Sequence, residues 1–211
     1  MTMISKKKVE IFISKLKNFK NPKENLEQYS IDESFWSEIL NFYMLRNDVP
    51  KTIYDFGAGT GKLSLPFFLF GSKKINFFEI DEDVIPILKK NINFTLSKKD
   101  LSLNYNIFNV DIFDFDFSKI ENPDLIVMNP PYGTRIKGLD SDFLDLALNF
   151  NSDLITMHKT STKSYINKKL KNRKFISFDV DYKLKQTYSH HSSKIKKIKV
   201  TVFIIKKKEK N

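Results

Sequence analysis

Cysteine is absent from the 211 residues, so the chain holds no disulfide, thiolate metal site or catalytic thiol. Histidine is scarce as well. His158, His190 and His191 have no carboxylate or thiol at ligand spacing, which leaves no metal site to be read. No apolar run approaches the roughly 18 to 20 residues that a membrane span needs. The lysine-rich start lacks the apolar stretch of a signal peptide. These absences predict a protein that works inside a cell, in the cytoplasm or, in a eukaryote, the nucleus. What remains is globular composition, 41% hydrophobic and 29% charged, in a length that suits one core. Neither an internal repeat nor an interdomain linker is visible. The expected organisation is a basic N-terminal helix over residues 1–24 and a single domain over 25–211.

Acidic residues are rare at both ends. The formal net charge of +11 divides into +6 for residues 1–23, −8 for 24–162 and +13 for 163–211. A lysine run is ordinarily a solvated face. Segregation around an acidic middle points instead to a polyanion, because cations that neutralise phosphates release condensed counterions. A membrane surface fits less well, since the last basic segment alternates like a strand rather than forming an amphipathic helix.

Val9, Phe12, Ile13, Leu16 and Phe19 recur at helical spacing and predict a first helix ending before Pro22. A second runs from the cap candidate Asp32 to about Leu45. Strands and helices then alternate: strand 52–56, helix from Lys62, strand 75–80, helix 83–97 with Pro86 in its first turn, strand 102–110, strand 125–128, helix 141–150. After strand 154–157 come a basic helix 163–171 and two strands, 174–184 and 195–205. In the last strand Lys197, Lys199 and Thr201 alternate with Ile198, Val200 and Val202, predicting one charged and one apolar face. The alternation predicts an α/β fold, a mostly parallel sheet with helices on both faces. Phe113, Phe115 and Phe117 alternate with Asp114 and Asp116, as a strand edge would, or a loop that tucks its rings inward.

Two places carry chemistry. Asp55 to Gly61 reads D-F-G-A-G-T-G behind a short apolar strand; three alternate glycines permit a sharp turn and close approach to a ligand, with a helix expected from Lys62. The spacing departs from the dinucleotide pattern, which argues against pyrophosphate. Twenty residues past Gly61, Asp81 follows the second strand where an acid reaches ribose hydroxyls in a doubly wound sheet. Asn129, Pro130, Pro131 and Tyr132 follow the run Leu125 to Met128. The prolines have no N–H, so the carbonyls of Asn129 and Pro130 are free to accept from an amino group; the Asn129 amide adds an acceptor, and Tyr132 a stacking face. A plain Asn-Pro turn is the competing reading.

Loop, acid and N-P-P-Y in this order resemble the class I S-adenosylmethionine-dependent methyltransferases of amino groups. The match extends to L-E-Q-Y at 26–29, N-P-P-Y-G-T at 129–134, M-H-K-T-S-T at 157–162 and Y-S-H-H from Tyr188. Over Leu26 to Ile205 the chain resembles the methyltransferase-like protein five family, N6-adenosine methyltransferases of small-subunit ribosomal RNA. The resemblance implies a Rossmann-like fold with a seven-stranded sheet, an antiparallel C-terminal strand and extra N-terminal helices. It implies S-adenosylmethionine held by Gln28, Asp55, Gly57, Ala58, Gly59, Gly61, Leu63, Ile80, Asp81, Asp111 and Asn129, with Asn129, Pro130, Pro131 and Tyr132 as the catalytic motif. Structured RNA would lie on Lys159, Lys163, His190, Lys194, Lys196, Lys197 and Lys199. A small zinc-finger activator would bind the third strand of the sheet, and His158 and Lys159 match the family's His-Lys pair. Two departures stand out: Ser30 and Ile31 replace the family's Pro-Thr after L-E-Q-Y, and Tyr132 stands where Phe is common. Two rivals differ in class, a protein glutamine N5-methyltransferase acting on a translation release factor and a non-catalytic RNA-binding subunit.

Overall fold

The structure, a computed structural model of the chain, describes residues 4–97, 104–184 and 196–208, without the side chains of 182–184, 196 and 197. Seven strands form one sheet: β1 (Thr52–Phe56), β2 (Lys74–Glu79), β3 (Asn104–Asn109), β4 (Leu125–Met128), β5 (Asp153–Lys159), β6 (Phe175–Leu184) and β7 (Lys196–Ile205). Their order is β3-β2-β1-β4-β5-β7-β6, with β7 antiparallel to both neighbours and every other pair parallel. This is the expected class I methyltransferase topology. Central β1 and β4 are buried along their whole length, as continuous apolar strands between two helical layers must be.

Two cores flank the sheet. On one face α1 (Lys6–Lys15), α2 (Glu33–Met44) and α3 (Ile85–Leu96) pack Val9, Ile13, Trp36, Leu40, Leu88 and Ile92 against Ile53, Ile75 and Val127. On the other, α4 (Leu139–Leu148) and α5 (Lys163–Lys169) bring Phe143, Leu144 and Ile166 to Tyr54, Phe56 and Phe203. Asp32 caps α2 by accepting from Phe35 N at 2.8 Å, as its position suggested.

Several expectations change. The first helix stops at Lys15, because Leu16 is extended and the side chain of Asn91 on α3 pins the next residue, accepting from Lys17 N at 2.7 Å and donating to Lys17 O at 3.0 Å. No α-helix follows the glycine loop: turns lead into a 3-10 segment, Leu65–Phe70, where Pro66 has no N–H to donate and Gly71, at φ 108°, ends the coil. Of the two readings of Phe113 to Phe117, the loop holds: 3-10 turns tuck Phe115 and Phe117 inward on Phe78, while Phe113 stays partly exposed. β7 presents no open charged face at Thr201, which is buried, donates to Asp179 Oδ1 at 2.8 Å and has the Thr160 hydroxyl 3.2 Å away. The alternation put Thr201 on the face away from Val200 and Val202 but could not show that Thr160, in the turn before α5, and Asp179 of β6 close over that part of the strand.

Candidate active site

At the carboxyl ends of β1, β2 and β4 lies a cavity of about 250 Å³. Its floor is the glycine loop, where Gly57, Gly59 and Gly61 all take positive φ, at 67°, 52° and 79°. A side chain at Gly59 would put its Cβ 2.8 Å from the Phe19 ring, and one at Gly61 would meet Leu88 and Leu65, so Gly61 serves packing beneath the loop. At Gly57 an added Cβ would find only Phe143, at 3.9 Å, on the cavity side.

Glu79, the last residue of β2, organises this loop and was missed in the sequence. Its buried carboxylate accepts from Gly59 N at 2.6 Å and Asp81 N at 2.8 Å. Burial pushes its pKa up, against those hydrogen bonds. Its signal in the sequence is an acid at the very end of an apolar strand, two residues before Asp81. Asp81 lies one step outside the cavity lining. Its Oδ1 accepts from Lys23 Nζ at 2.6 Å and its Oδ2 from Gln28 Nε2 at 2.7 Å; burial raises its pKa, but these donors outweigh it and hold the group below the usual carboxylate range.

Asp55 is fully buried under the loop and accepts from Ser64 Oγ at 2.5 Å through Oδ2. Its Oδ1 has no hydrogen-bond partner. Burial, opposed by the Ser64 bond and reinforced by Glu79, pushes its pKa up to about 8. Asn129 follows β4 directly and lines the cavity, and its Oδ1 is likewise buried and unpartnered.

Of the residues expected to hold a cofactor, Gln28, Gly57, Ala58, Gly59, Leu63, Ile80, Asp111 and Asn129 line the one cavity, and Asp55, Gly61 and Asp81 stand behind it. Asp111 is otherwise engaged at its own turn, accepting from Phe113 N at 3.1 Å. In the N-P-P-Y motif Asn129 and Pro131 line the cavity. Tyr132 is buried and stacks on Tyr29, centroids 6.5 Å apart and planes at 17°. The Phe113 ring, edge-on to Phe143, and Ile80 make apolar walls; both are partly exposed. Apolar walls, the unpartnered Asn129 acceptor and an open glycine surface suit a flat ring joined to an amine-bearing chain, which is the make-up of S-adenosylmethionine.

The expected RNA residues spread further. Lys159 ends β5, and its register partner Val200 puts the basic start of β7, with Lys196, Lys197 and the exposed Lys199, at the same end of the sheet as Asn129. Lys163 is ion-paired with Asp179 at 2.8 Å. His190 and Lys194 lie outside the described residues. His158 is buried, with Nε2 2.9 Å from Thr156 Oγ1 and Nδ1 3.7 Å from Asp140 Oδ2; burial lowers its pKa, so it is a neutral interior group. Among the described residues no three His, Asp or Glu side chains converge as metal ligands, and no helix is long and apolar enough to cross a membrane.

No protein-family model matches the chain. An uncharacterized protein of Methanocaldococcus jannaschii is 30% identical over 216 residues, covering 97% of this chain and 95% of its own. The crystal structure of a candidate RNA methyltransferase from Pyrococcus horikoshii superimposes with a TM-score of 0.79 at 28% identity, over 98% of both chains. The rRNA N(6)-adenosine-methyltransferase Mettl5 of Drosophila melanogaster is 30% identical over 209 residues, 95% of each chain. With that relationship spanning nearly the whole length, on the class I S-adenosylmethionine-dependent methyltransferase fold, the chain belongs to the Mettl5 family of rRNA N(6)-adenosine methyltransferases.

Proposed function

We propose that this protein transfers the methyl group of S-adenosylmethionine to N6 of an adenosine in small-subunit ribosomal RNA. The observation that carries the proposal is the unpartnered, buried Asn129 Oδ1 on a cavity whose other end is the glycine loop. Bound there, the cofactor supplies an electrophilic methyl on a sulfonium. Gly57 and Gly59 would hold its amino-acid end, with Asp55 behind them, Ile80 and Phe113 its ring, and Asp81, through Gln28, its ribose.

The exocyclic amine of adenine is a weak nucleophile, because its lone pair is delocalised into the ring. Asn129 Oδ1 and the Pro130 carbonyl accept its N–H bonds. As methyl transfer proceeds, positive charge grows on that nitrogen, and fixed acceptor dipoles stabilise it more than they stabilise the neutral base. No strong base is needed beforehand; the rest of the rate comes from holding donor and acceptor in line. A paired adenosine must first leave its stack, at a cost of a few kcal/mol.

RNA docking is assigned to Lys159, Lys163, His190, Lys194, Lys196, Lys197 and Lys199, with Lys163 contributing less because Asp179 already neutralises it. The outer edge of β3, largely exposed and beginning at Asn104, is where a zinc-finger activator would add. The work is assigned to the inside of the cell, cytoplasm or nucleus. Labelled cofactor offered with small-subunit rRNA transcript or with a translation release factor decides the substrate. Label in N6-methyladenosine supports the proposal; label in a release-factor glutamine overturns it.

A further inference from the structure

Glu27 is the one described residue other than glycine with positive φ, at 50°, a backbone state that glutamate rarely adopts. Its side chain is buried, and among the described residues no ion pair reaches it. Instead it reaches a segment more than one hundred residues away. Oε2 accepts from Tyr132 N at 2.7 Å, and Oε1 accepts from Thr134 N at 2.7 Å and Arg135 N at 3.2 Å. The two prolines before Tyr132 have no N–H, so Glu27 takes the first main-chain donor after Asn129. Two neighbours fasten the same segment: Glu24 pairs with Arg135, and the Tyr29 ring stacks on Tyr132. The adjacent Gln28 turns the other way, to Asp81.

We infer that Glu27 is a positioning residue for the target adenine: by gathering three of the four amides of the Tyr132 to Arg135 turn, it fixes the Asn129 and Pro130 carbonyls in the geometry the amine requires. A backbone strained into a left-handed conformation, and a buried carboxylate spent wholly on one loop, are what a site maintains where placement matters more than local stability. Thr134 and Arg135 follow Gly133, itself at φ 67°, so without the clamp the turn has a hinge on which to relax. Displacing reacting groups by about 1 Å can cost on the order of 10²-fold in rate.

The inference rests on the proposed adenine N6 chemistry, and one binding experiment separates the two. The probes are S-adenosylhomocysteine and a bisubstrate analogue in which N6 of adenosine is joined by a short linker to a nitrogen replacing the cofactor sulfonium. Calorimetry on the wild type, E27Q and E27D gives both affinities. E27Q keeps the volume but can accept through one oxygen only; E27D keeps the charge one methylene short and suits a left-handed backbone better, so it guards against simple unfolding. Expected is a tighter grip on the bisubstrate than on S-adenosylhomocysteine in the wild type, with that gain reduced about tenfold or more in both variants while S-adenosylhomocysteine binds within about threefold of normal. If both variants keep the gain, or lose both affinities equally, Glu27 is merely structural and the inference falls while the proposed function stands. No gain in the wild type would remove the adenine reading, and this inference with it.

Discussion

At the amino ends of β1, β4 and β5 the carboxylates of Asp124 and Asp153 are satisfied, whereas at the carboxyl ends of β1 and β4 an oxygen of Asp55 and one of Asn129 are not. Asp153 accepts from Tyr43 OH at 3.0 Å, Lys207 N at 2.9 Å and the Lys206 ammonium. Asp124 accepts from Lys51 N at 2.8 Å and Thr52 N at 3.0 Å. A groove of about 750 Å³ opens there, larger than the carboxyl-end cavity, yet what goes unpartnered at that end of the sheet are neutral hydroxyls, Ser72 Oγ and Ser152 Oγ. At the other end, Asp55 and Asn129 each bury an oxygen with no partner. Leaving such an atom unmet costs about 1–3 kcal/mol, so it persists where a ligand completes it. Size therefore misleads and satisfaction informs: the amino end fastens the fold, and the carboxyl end awaits its ligands.

The comparison breaks most sharply at Asn129. Asn129→Ala should cut methyl transfer roughly 10²- to 10³-fold, the usual effect of removing one preorganised partner, while cofactor affinity changes by a few-fold; equal losses of rate and affinity would show that the amide serves the cofactor instead. Asp81→Ala should reverse the pattern, weakening cofactor binding because Gln28 loses the charged acceptor that orients it, a hydrogen bond of a kind worth about 1.5–3 kcal/mol. A normal dissociation constant in that variant would remove Asp81 from the ribose. At the amino end, Asp153→Ala should cost about 1–3 kcal/mol of unfolding free energy, because Tyr43 and the half-exposed Lys206 lose their acceptor. Cofactor affinity should stay unchanged there, and a loss of it would mean that the two ends are coupled.

Much of this was legible in the sequence where a local signal sufficed. β1 and β4 are short apolar runs closed by turn residues, and Asp32 announces α2 by its own capping chemistry. The gathering of Gly57, Gly59 and Asn129 on one cavity followed from their places at strand ends. What could not be read depends on distant partners. Pro66 and Gly71 turned an expected helix into a 3-10 segment, Asn91 ended α1 early, and Thr201 is buried by elements that its own alternation does not mention. Glu27 shows the limit best: nothing in L-E-Q-Y tells that its carboxylate holds amides at positions 132, 134 and 135.

Smaller effects sharpen the same contrast. Asp55 titrates near 8 in the folded chain and near 3.9 unfolded. Between those values the native state holds the extra proton, so its contribution is fully present below about pH 4 and is lost as pH rises through 8. Denaturant midpoints across pH 5 to 9 should fall with pH in the wild type and less in Asp55→Asn, whose amide cannot ionise; parallel profiles would contradict the raised pKa. Least costly to the fold should be the joint replacement of Lys194, Lys196, Lys197 and Lys199 by Gln. RNA affinity should weaken and its log-log salt slope flatten by about 0.7 to 0.9 per lost phosphate contact, with thermal stability near the wild type. An unchanged slope and affinity would leave these lysines a solvated face.

The most direct measurement is a map of N6-methyladenosine in RNA from cells that lack the protein. The account predicts the loss of an N6-methyladenosine from small-subunit ribosomal RNA, restored by the wild-type chain and not by Asn129→Ala. Ribosomal N6-methyladenosine that persists without the protein, together with a release-factor glutamine that loses its methyl group, would contradict it.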